Sequence, residues 1–284
     1  MVTLNSVSLV CNPSGIIKST LILVFSKTLS SFKSSVEISV NESKALLTRV
    51  CESHYKHQYD YEDIATIVQW LELHDLDGVR TLLDEINKPL QKNNTLTKHK
   101  KESKQRLILS DNSQNILHKI RIFSDLTLAK CHEDGLCFTT INNIAHQQTI
   151  LVNLKNVSVR GYHATAWWIE TEQKHLHIAK IAPNQDYPIY KTIKLNKYAV
   201  NLQPYLNLIY SKNDIQSLKS YTNEHEIQGE SIIQKVNTHD FNERLFQKIN
   251  DGLEIKFDHY QQLTKIADLI LVEASEKSRQ GAGE

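Results

Sequence analysis

The chain is poor in the residues and motifs that mark common catalytic folds. It has only eight glycines in 284 residues, and it contains no G-x-G-x-x-G, Walker, G-x-S-x-G or H-E-x-x-H sequence. Glycine-rich loops are what allow backbone N–H groups to approach a phosphate closely. No motif therefore indicates a cofactor, and we expect no metal ion.

An excess of charge of either sign is also absent. Lys and Arg number 33 and Asp and Glu number 32, which gives a net charge of +1. A near-neutral chain has no general attraction to nucleic acid or to anionic lipid. No run of eighteen apolar residues is present, and a membrane-spanning helix needs at least about that length. We expect neither a nucleic-acid partner nor a membrane partner.

Cysteine is scarce as well, with four in the chain. Cys131 and Cys137 flank Glu133-Asp134-Gly135, a sequence typical of a turn. Two facing cysteines of a hairpin would form a disulfide or supply two metal ligands. Unpaired strand residues in a reducing compartment are the favoured interpretation, and we expect a cytoplasmic protein.

Residues 1–35 lack acidic side chains and contain nine Ser and three Thr. A cleaved targeting segment is one interpretation, but such segments favour arginine and none is present here. We expect a Ser-rich, disordered or loosely docked extension.

Residues 36–90 have the pattern of a small helical unit. Glu42 follows Ser39 at the spacing of a capping box, and Asp60 stands before a second apolar stripe of helical period. The sequence predicts that the second helix stops over residues 73–78, with Gly78 at its C-terminal position. A third helix is expected from Val79 to Asn87.

Residues 91–106 are polar and basic, with six Lys or Arg and one acid. A phosphate-binding arm would fit this charge, but no aromatic residue is present to stack on bases. A solvated linker is the favoured interpretation.

Residues 107–284 predict an α+β domain. Short apolar or alternating runs predict eight strands over residues 105–109, 122–128, 136–141, 149–154, 157–159, 165–169, 176–181 and 189–195. Helices are expected over residues 213–221, from a cap at Asp240 to Ile249, and from Asp258 to Leu271. The fold class is thus α+β, with an N-terminal helical unit, a central mostly antiparallel sheet and C-terminal helices.

Thirteen histidines raise the question of metal binding. His175 and His177 alternate on a predicted strand and point to one face, as paired ligands would. A third ligand cannot be assigned from the sequence, so packing of both side chains is the favoured interpretation.

The last residues contain a candidate ligand-binding segment. Arg279 beside a flexible Gly-Ala-Gly stretch would suit an anion or a carboxylate, since glycine lets backbone N–H groups approach it. The ligand-binding candidates are Ser275, Glu276, Ser278, Arg279, Gly281 and Gly283. The alternative is a capped turn followed by a frayed tail.

Two stretches together resemble a known family. They are SVNESKALLTRVCESHYKHQYDYEDIATIVQWLELHDLDGV, residues 39–79, and VEASEKSRQGAG, residues 272–283. They are similar to the bacterial domain of unknown function 3726, although Glu273 stands where that family usually has proline. The resemblance implies a bacterial, cytoplasmic protein and supplies no activity.

A second likeness concerns residues 74–79. His-Asp-Leu-Asp-Gly-Val is similar to the His-x-Ser-His-Gly-Val turn of the malate and L-lactate dehydrogenases that are unrelated to Rossmann enzymes. In that family the turn supplies a catalytic histidine and an arginine follows it. Asp77 stands at the histidine position and Thr81 at the arginine position. The catalytic candidates are therefore His74, Asp75 and Asp77.

Three kinds of function remain open, of which a nucleic-acid binder that uses residues 92–106 is the least favoured because of the near-neutral charge. The favoured one is a non-catalytic accessory protein of bacterial metabolism that binds a small metabolite or a protein partner. The alternative is an enzyme, such as a degenerate NAD(P)-dependent 2-hydroxy acid oxidoreductase. An aspartate of ordinary pKa is a poor replacement for the histidine that exchanges a proton with the substrate oxygen.

Overall fold

The computed structural model describes residues 34–55, 60–88, 98–110, 116–195, 205–214 and 229–270. The extension predicted for residues 1–35, except its last two residues, lies outside these ranges. Cys11, residues 215–221 of the helix predicted over 213–221, and all six C-terminal ligand-binding candidates also lie outside the described residues.

Seven α-helices lie in the described part of the chain. Three come first: α1 (Val40–Tyr55), α2 (Tyr61–Leu73) and α3 (Gly78–Ile86). Two lie between strands: α4 (Ile120–Asp134) and α5 (Ile150–Val159). Two come last: α6 (Thr238–Asp251) and α7 (Phe257–Ala267). Short 3₁₀ turns span Gln147–Thr149 and Asp268–Ile270.

The described residues include ten strands in two sheets. β1 (Ser35–Ile38) pairs antiparallel with β10 (Leu253–Lys256). The eight-stranded central sheet has the order β2-β3-β4-β8-β5-β6-β7-β9, and only β3 and β4 run parallel. Its strands are β2 (Lys98–Ser103), β3 (Arg106–Ser110), β4 (Leu136–Asn142), β5 (His163–Glu170), β6 (His175–Ile181), β7 (Ile189–Leu195), β8 (Leu206–Ser211) and β9 (Gly229–Val236). The predicted α+β class is confirmed.

The predicted helix starts are confirmed by their hydrogen bonds. The backbone N–H of Ser39 donates to Glu42 Oε2 at 2.8 Å, and the N–H of Glu42 donates to Ser39 Oγ at 3.2 Å. The N–H of Asp63 donates to Asp60 Oδ1 at 3.1 Å. These side chains satisfy N–H groups that have no partner inside the helix.

Three segments predicted to be strands are helical instead. Residues 122–128 belong to α4, and the segments 149–154 and 157–159 belong mainly to α5. The buried residues of α4 include Phe123, Ser124 and Thr127, whose spacing is helical. Because polar side chains complete this buried face, the apolar period that would have revealed the helix is broken in the sequence.

The hairpin predicted between Cys131 and Cys137 is wrong for the same reason. Cys131 lies in the last turn of α4, Gly135 ends that helix with φ 78°, and Cys137 lies on β4. Cys51, Cys131 and Cys137 are all buried, and none of them forms a disulfide with another described residue. Burial raises the pKa of Cys131 to about 11, so its thiol is protonated at neutral pH.

Some boundaries also differ from the predictions. Residues 98–103 of the expected linker form the edge strand β2, and β9 had no signal in the sequence. Among the described residues, no helix combines the length and apolar character needed to cross a bilayer.

The large core lies between the helices and one face of the central sheet. Trp168 belongs to this core, whereas Trp167 belongs to a smaller apolar cluster on the opposite face. Both indoles are buried, as expected for two strand tryptophans that cover a core. Residues on β5 that share the face of Trp168 therefore point toward the helices.

Candidate functional site

A polar cleft of about 390 Å³ lies on the helix side of the central sheet. One wall is the connection between α2 and α3 together with the start of α3. The other is formed by residues 146–148, the connected ends of β5 and β6, and β7. Its volume is in the range of small-molecule sites. Two larger depressions, on the surface of α6 and beside α4, do not involve the residues of the dehydrogenase-like turn.

The α2–α3 connection is held by close backbone packing. Gly78 is the first residue of α3, and a Cβ there would lie 2.1 Å from the carbonyl oxygen of Val68. The expected role of Gly78 at the end of α2 is therefore wrong: Asp75 and Asp77 take the positive φ values, 57° and 53°. Glycine is needed here for the approach of two helices.

Glu72 fixes the N-terminus of α3. Its Oε2 accepts the backbone N–H of Val79 at 2.9 Å. Burial raises the pKa of this carboxyl, while the hydrogen bond from Val79 lowers it. A carboxylate at the N-terminus of a helix is favoured by the free N–H groups and by the helix dipole. The turn that carries Asp77 is thus restrained on both sides.

The three catalytic candidates have different environments. His74 is 1% exposed and packs among Trp70, Tyr187 and Phe241, so it is not part of the cleft lining. Its Nδ1 lies 2.6 Å from the carbonyl oxygen of Trp70. Burial lowers the pKa of His74, so the ring is neutral at pH 7.

Asp75 and Asp77 both line the cleft. Asp75 forms salt bridges to α6, with 3.1 Å to Lys248 Nζ and 3.9 Å to Arg244 Nε. No salt bridge in the described part of the chain involves Asp77. The Asp77 carboxylate therefore lines the cleft without a counter-ion from these residues.

Arg80 is the cationic residue of the cleft lining. It follows Asp77 by three positions on α3 and its Nε lies 3.8 Å from Asp84 Oδ2. Both side chains of this pair are well exposed, and such pairs contribute little. The arginine can therefore turn toward a ligand. Thr81, the next residue of α3, is buried and accepts a weak 3.4 Å hydrogen bond from Gln148.

His146 is a cleft residue that no sequence pattern indicated. It has φ 53° and precedes the short turn Gln147–Thr149. Its Nε2 lies 3.6 Å from Asp84 Oδ2. Burial, and then the nearby Lys88, lower the pKa of His146, so a neutral imidazole lines the cleft at pH 7.

The sheet contributes Glu170, His177 and Tyr190 to the opposite wall. His177 Nδ1 lies 2.7 Å from the Tyr190 hydroxyl, and its Nε2 lies 3.3 Å from Glu170 Oε2. Burial raises the pKa of Tyr190 to about 12, which keeps the phenol protonated. The alternation of His175 and His177 was visible in the sequence, but the position of Glu170 depends on the register of β5 against β6.

Comparison with known proteins supports both resemblances. Residues 38–115 match the family described as Protein of unknown function (DUF3726), which confirms the first resemblance over that segment. No curated protein matches the sequence.

Several solved structures with a similar fold are described as dehydrogenases. Malate dehydrogenase from Pyrococcus horikoshii OT3 aligns with a TM-score of 0.57 at 11% identity, over 85% of this chain and 97% of that one. A putative malate/lactate dehydrogenase from E. coli gives 0.56 at 9% identity, over 86% and 98%. A dehydrogenase from Sinorhizobium meliloti gives 0.55 at 13% identity, over 82% and 100%. At these identities the likeness establishes the fold.

Proposed function

We propose that this protein binds a small polar metabolite in the cleft and acts as a non-catalytic accessory protein of bacterial metabolism, in the cytoplasm. The observation that carries the proposal is the identity of the side chain at position 77. A carboxylate faces the cleft where the dehydrogenase-like turn would present a histidine. A carboxylate is a less effective general acid or base near neutral pH than the imidazole of a histidine.

The charge of the cleft favours a cationic or donor-rich ligand. Its lining includes the carboxylates of Asp75, Asp77, Glu170 and Glu172 but only one arginine. Asp75 is neutralised by α6, whereas described residues provide no salt bridge to Asp77 or Glu172. A 2-hydroxy acid would be repelled by this excess of negative charge. An amine or an amino acid would be attracted to it, with Arg80 available for a carboxylate.

The test combines ligand binding with an activity assay on the full chain. Protein purified gently from its native host would be examined by native mass spectrometry for a retained small molecule. Thermal shifts would then compare amines and amino acids with 2-hydroxy acids, and NADH or NADPH consumption would be followed with 2-oxo acids. We expect a shift with the first group, none with 2-hydroxy acids, and no consumption of cofactor.

Two variants and a matched control locate the binding site. Asp77→Asn and Arg80→Gln remove one charge each from the cleft, whereas Arg121→Gln removes an exposed arginine that pairs with Asp63 and Asp125. A hydrogen bond to a charged group contributes about 1.5–3 kcal/mol, or roughly 10–100-fold in affinity. Equal affinities in Asp77→Asn and the control would refute the assignment of the cleft.

A second candidate function rests on His146. This neutral imidazole lies in the same cleft as Arg80, and it could accept the hydroxyl proton of a substrate that transfers a hydride to NAD(P)+. In that case the protein would be an NAD(P)-dependent oxidoreductase. Cofactor consumption by the wild type, lost in His146→Gln and kept in Arg121→Gln, would favour this function over binding alone.

A further inference from the structure

One hairpin brings three potential metal ligands to the same face of the sheet. Glu170 on β5 lies directly opposite His175 on β6 in the antiparallel register, and His177 follows two residues later. Residues directly opposite each other project to one face, and so do residues two apart on a strand. One carboxylate oxygen and one nitrogen of each imidazole lie within 4.8 Å of one another. No other group of three such side chains occurs among the described residues.

The distances suit a metal of zinc size. The Nε2 atom of His177 and the Oε2 atom of Glu170 are 3.3 Å apart. Metal–ligand bonds of about 2.0–2.1 Å in a tetrahedron place neighbouring ligand atoms roughly 3.3–3.4 Å apart. The Glu170 side chain is 41% exposed and His175 is half-buried, so both side chains can adjust to complete the set.

Neighbouring residues orient the His177 ring for this role. Its Nδ1 lies 2.7 Å from the Tyr190 hydroxyl and 3.3 Å from Thr192 Oγ1. The ring also stacks on Trp168, with 5.1 Å between centroids. A histidine that binds a metal usually donates its other ring N–H to an oxygen, which fixes the tautomer. The arrangement leaves Nε2 directed toward Glu170.

We propose that Glu170, His175 and His177 bind one divalent transition-metal ion of the zinc type. Two imidazoles and a carboxylate are a ligand set that suits zinc and neighbouring metals. Glu170 and His177 also line the cleft, so the remaining coordination position faces the cleft. Such an open position would hold water or an oxygen or nitrogen atom of a bound molecule. The site does not depend on the identity of the metabolite.

The test is a metal titration of the full chain, purified without a histidine tag and freed of metal with a chelator. Zn²⁺ binding would be measured by calorimetry, and Co²⁺ would report the geometry through its visible absorption. His175→Ala removes a half-buried ligand, and His163→Ala is the matched control. His163 lies at the other end of β5 and projects to the opposite face of the sheet.

We expect one ion per chain and the intense absorption of four-coordinate Co²⁺. His175→Ala should weaken Zn²⁺ binding by at least about 100-fold and remove the absorption, and His163→Ala should change neither. Tyr190→Phe should retain the stoichiometry but weaken binding by about 10–100-fold, the effect typical of a lost partner of a metal-bound histidine.

Either of two results would overturn the proposal. The first is a wild-type chain that binds no Zn²⁺ at micromolar concentrations, which would leave His177 and Glu170 as a plain hydrogen-bonded pair. The second is equal affinity in His175→Ala and His163→Ala, which would assign the ion to other histidines. Circular dichroism of each metal-free variant controls for folding. Because no metabolite is added, failure here leaves the proposed metabolite binding untouched.

Discussion

The replacement of Gly78 by alanine tests whether α2 and α3 are as closely packed as the structure has them. An added Cβ would lie 2.1 Å from the Val68 carbonyl oxygen, 2.8 Å from the Glu72 nitrogen and 3.0 Å from Leu71 Cβ. The two closest atoms belong to the backbone of α2, so no flexible side chain can yield. The start of α3 would have to move by about 1 Å, a distortion typical of overpacked cores.

The sign of the change in stability distinguishes a steric clash at position 78 from the effect of helix propensity alone. Without a clash, alanine in place of glycine stabilises a helix by up to about 1 kcal/mol. Overpacking costs typically about 1–3 kcal/mol and occasionally more. We expect a net loss of about 2 kcal/mol in the free energy of unfolding, which is the upper end of that cost less the gain in helix propensity, and a fall in Tm of roughly 4–8 °C.

Urea unfolding followed by circular dichroism gives the free energy, and a thermal scan gives Tm. Gly135→Ala is the control, because Gly135 has φ 78° and no heavy atom within 4 Å of an added Cβ. Gly135→Ala should lower the free energy of unfolding only by the cost of placing alanine in the left-handed backbone conformation, about 1–2 kcal/mol. If Gly78→Ala proves as stable as the wild type or more so, the close approach of the two helices is refuted.

Three further predictions follow from buried groups. Glu85→Ala should lower the free energy of unfolding by about 3 kcal/mol, because the buried Glu85 carboxyl accepts the backbone N–H groups of Ile116 and Leu117. Urea unfolding measures this change, and a value below about 0.5 kcal/mol would contradict the prediction. Burial, and to a lesser degree Arg244, lower the pKa of His74 in the folded protein, so as pH falls the unfolded state protonates this histidine before the folded state does. The free energy of unfolding should therefore decrease as pH drops below about 6.5, the ordinary pKa of histidine. The decrease should be smaller in His74→Phe. Identical pH slopes of the two proteins would refute this assignment. A thiol reagent should modify Cys51, Cys131 and Cys137 only after unfolding, because all three thiols are buried. Peptide mapping identifies the modified cysteines. Rapid labelling of any of the three in the native protein would contradict the burial of that thiol.

The helix starts illustrate what local sequence can predict. Ser39 with Glu42, and Asp60, were assigned as caps from spacing alone, and their hydrogen bonds are present. Capping involves atoms three residues apart, so the sequence contains all of its determinants. Most strands of the central sheet were found for a similar reason, because alternation with a period of two is also a local property.

The two helices α4 and α5 illustrate where local pattern fails. Their buried faces include Ser124, Thr127, Asn153 and Ser158, which are polar in the sequence but lie in the core. Thr127 donates to the carbonyl oxygen of Phe123 and to Thr139 on β4. Such hydrogen bonds across elements decide whether a polar residue can be buried, and no short window of sequence contains them.

The sequence by itself determined the α+β class, the first three helices, most of the sheet, and the two family resemblances. Each of these depends on residues close in the chain. Only the tertiary structure decided that Asp77, His146 and Glu170 share one cleft, while His74, three residues before Asp77, is buried in the core. The register of β5 against β6 adds Glu170 to the two histidines. The physical reason is that a site is formed by distant segments whose relative placement depends on packing and strand register.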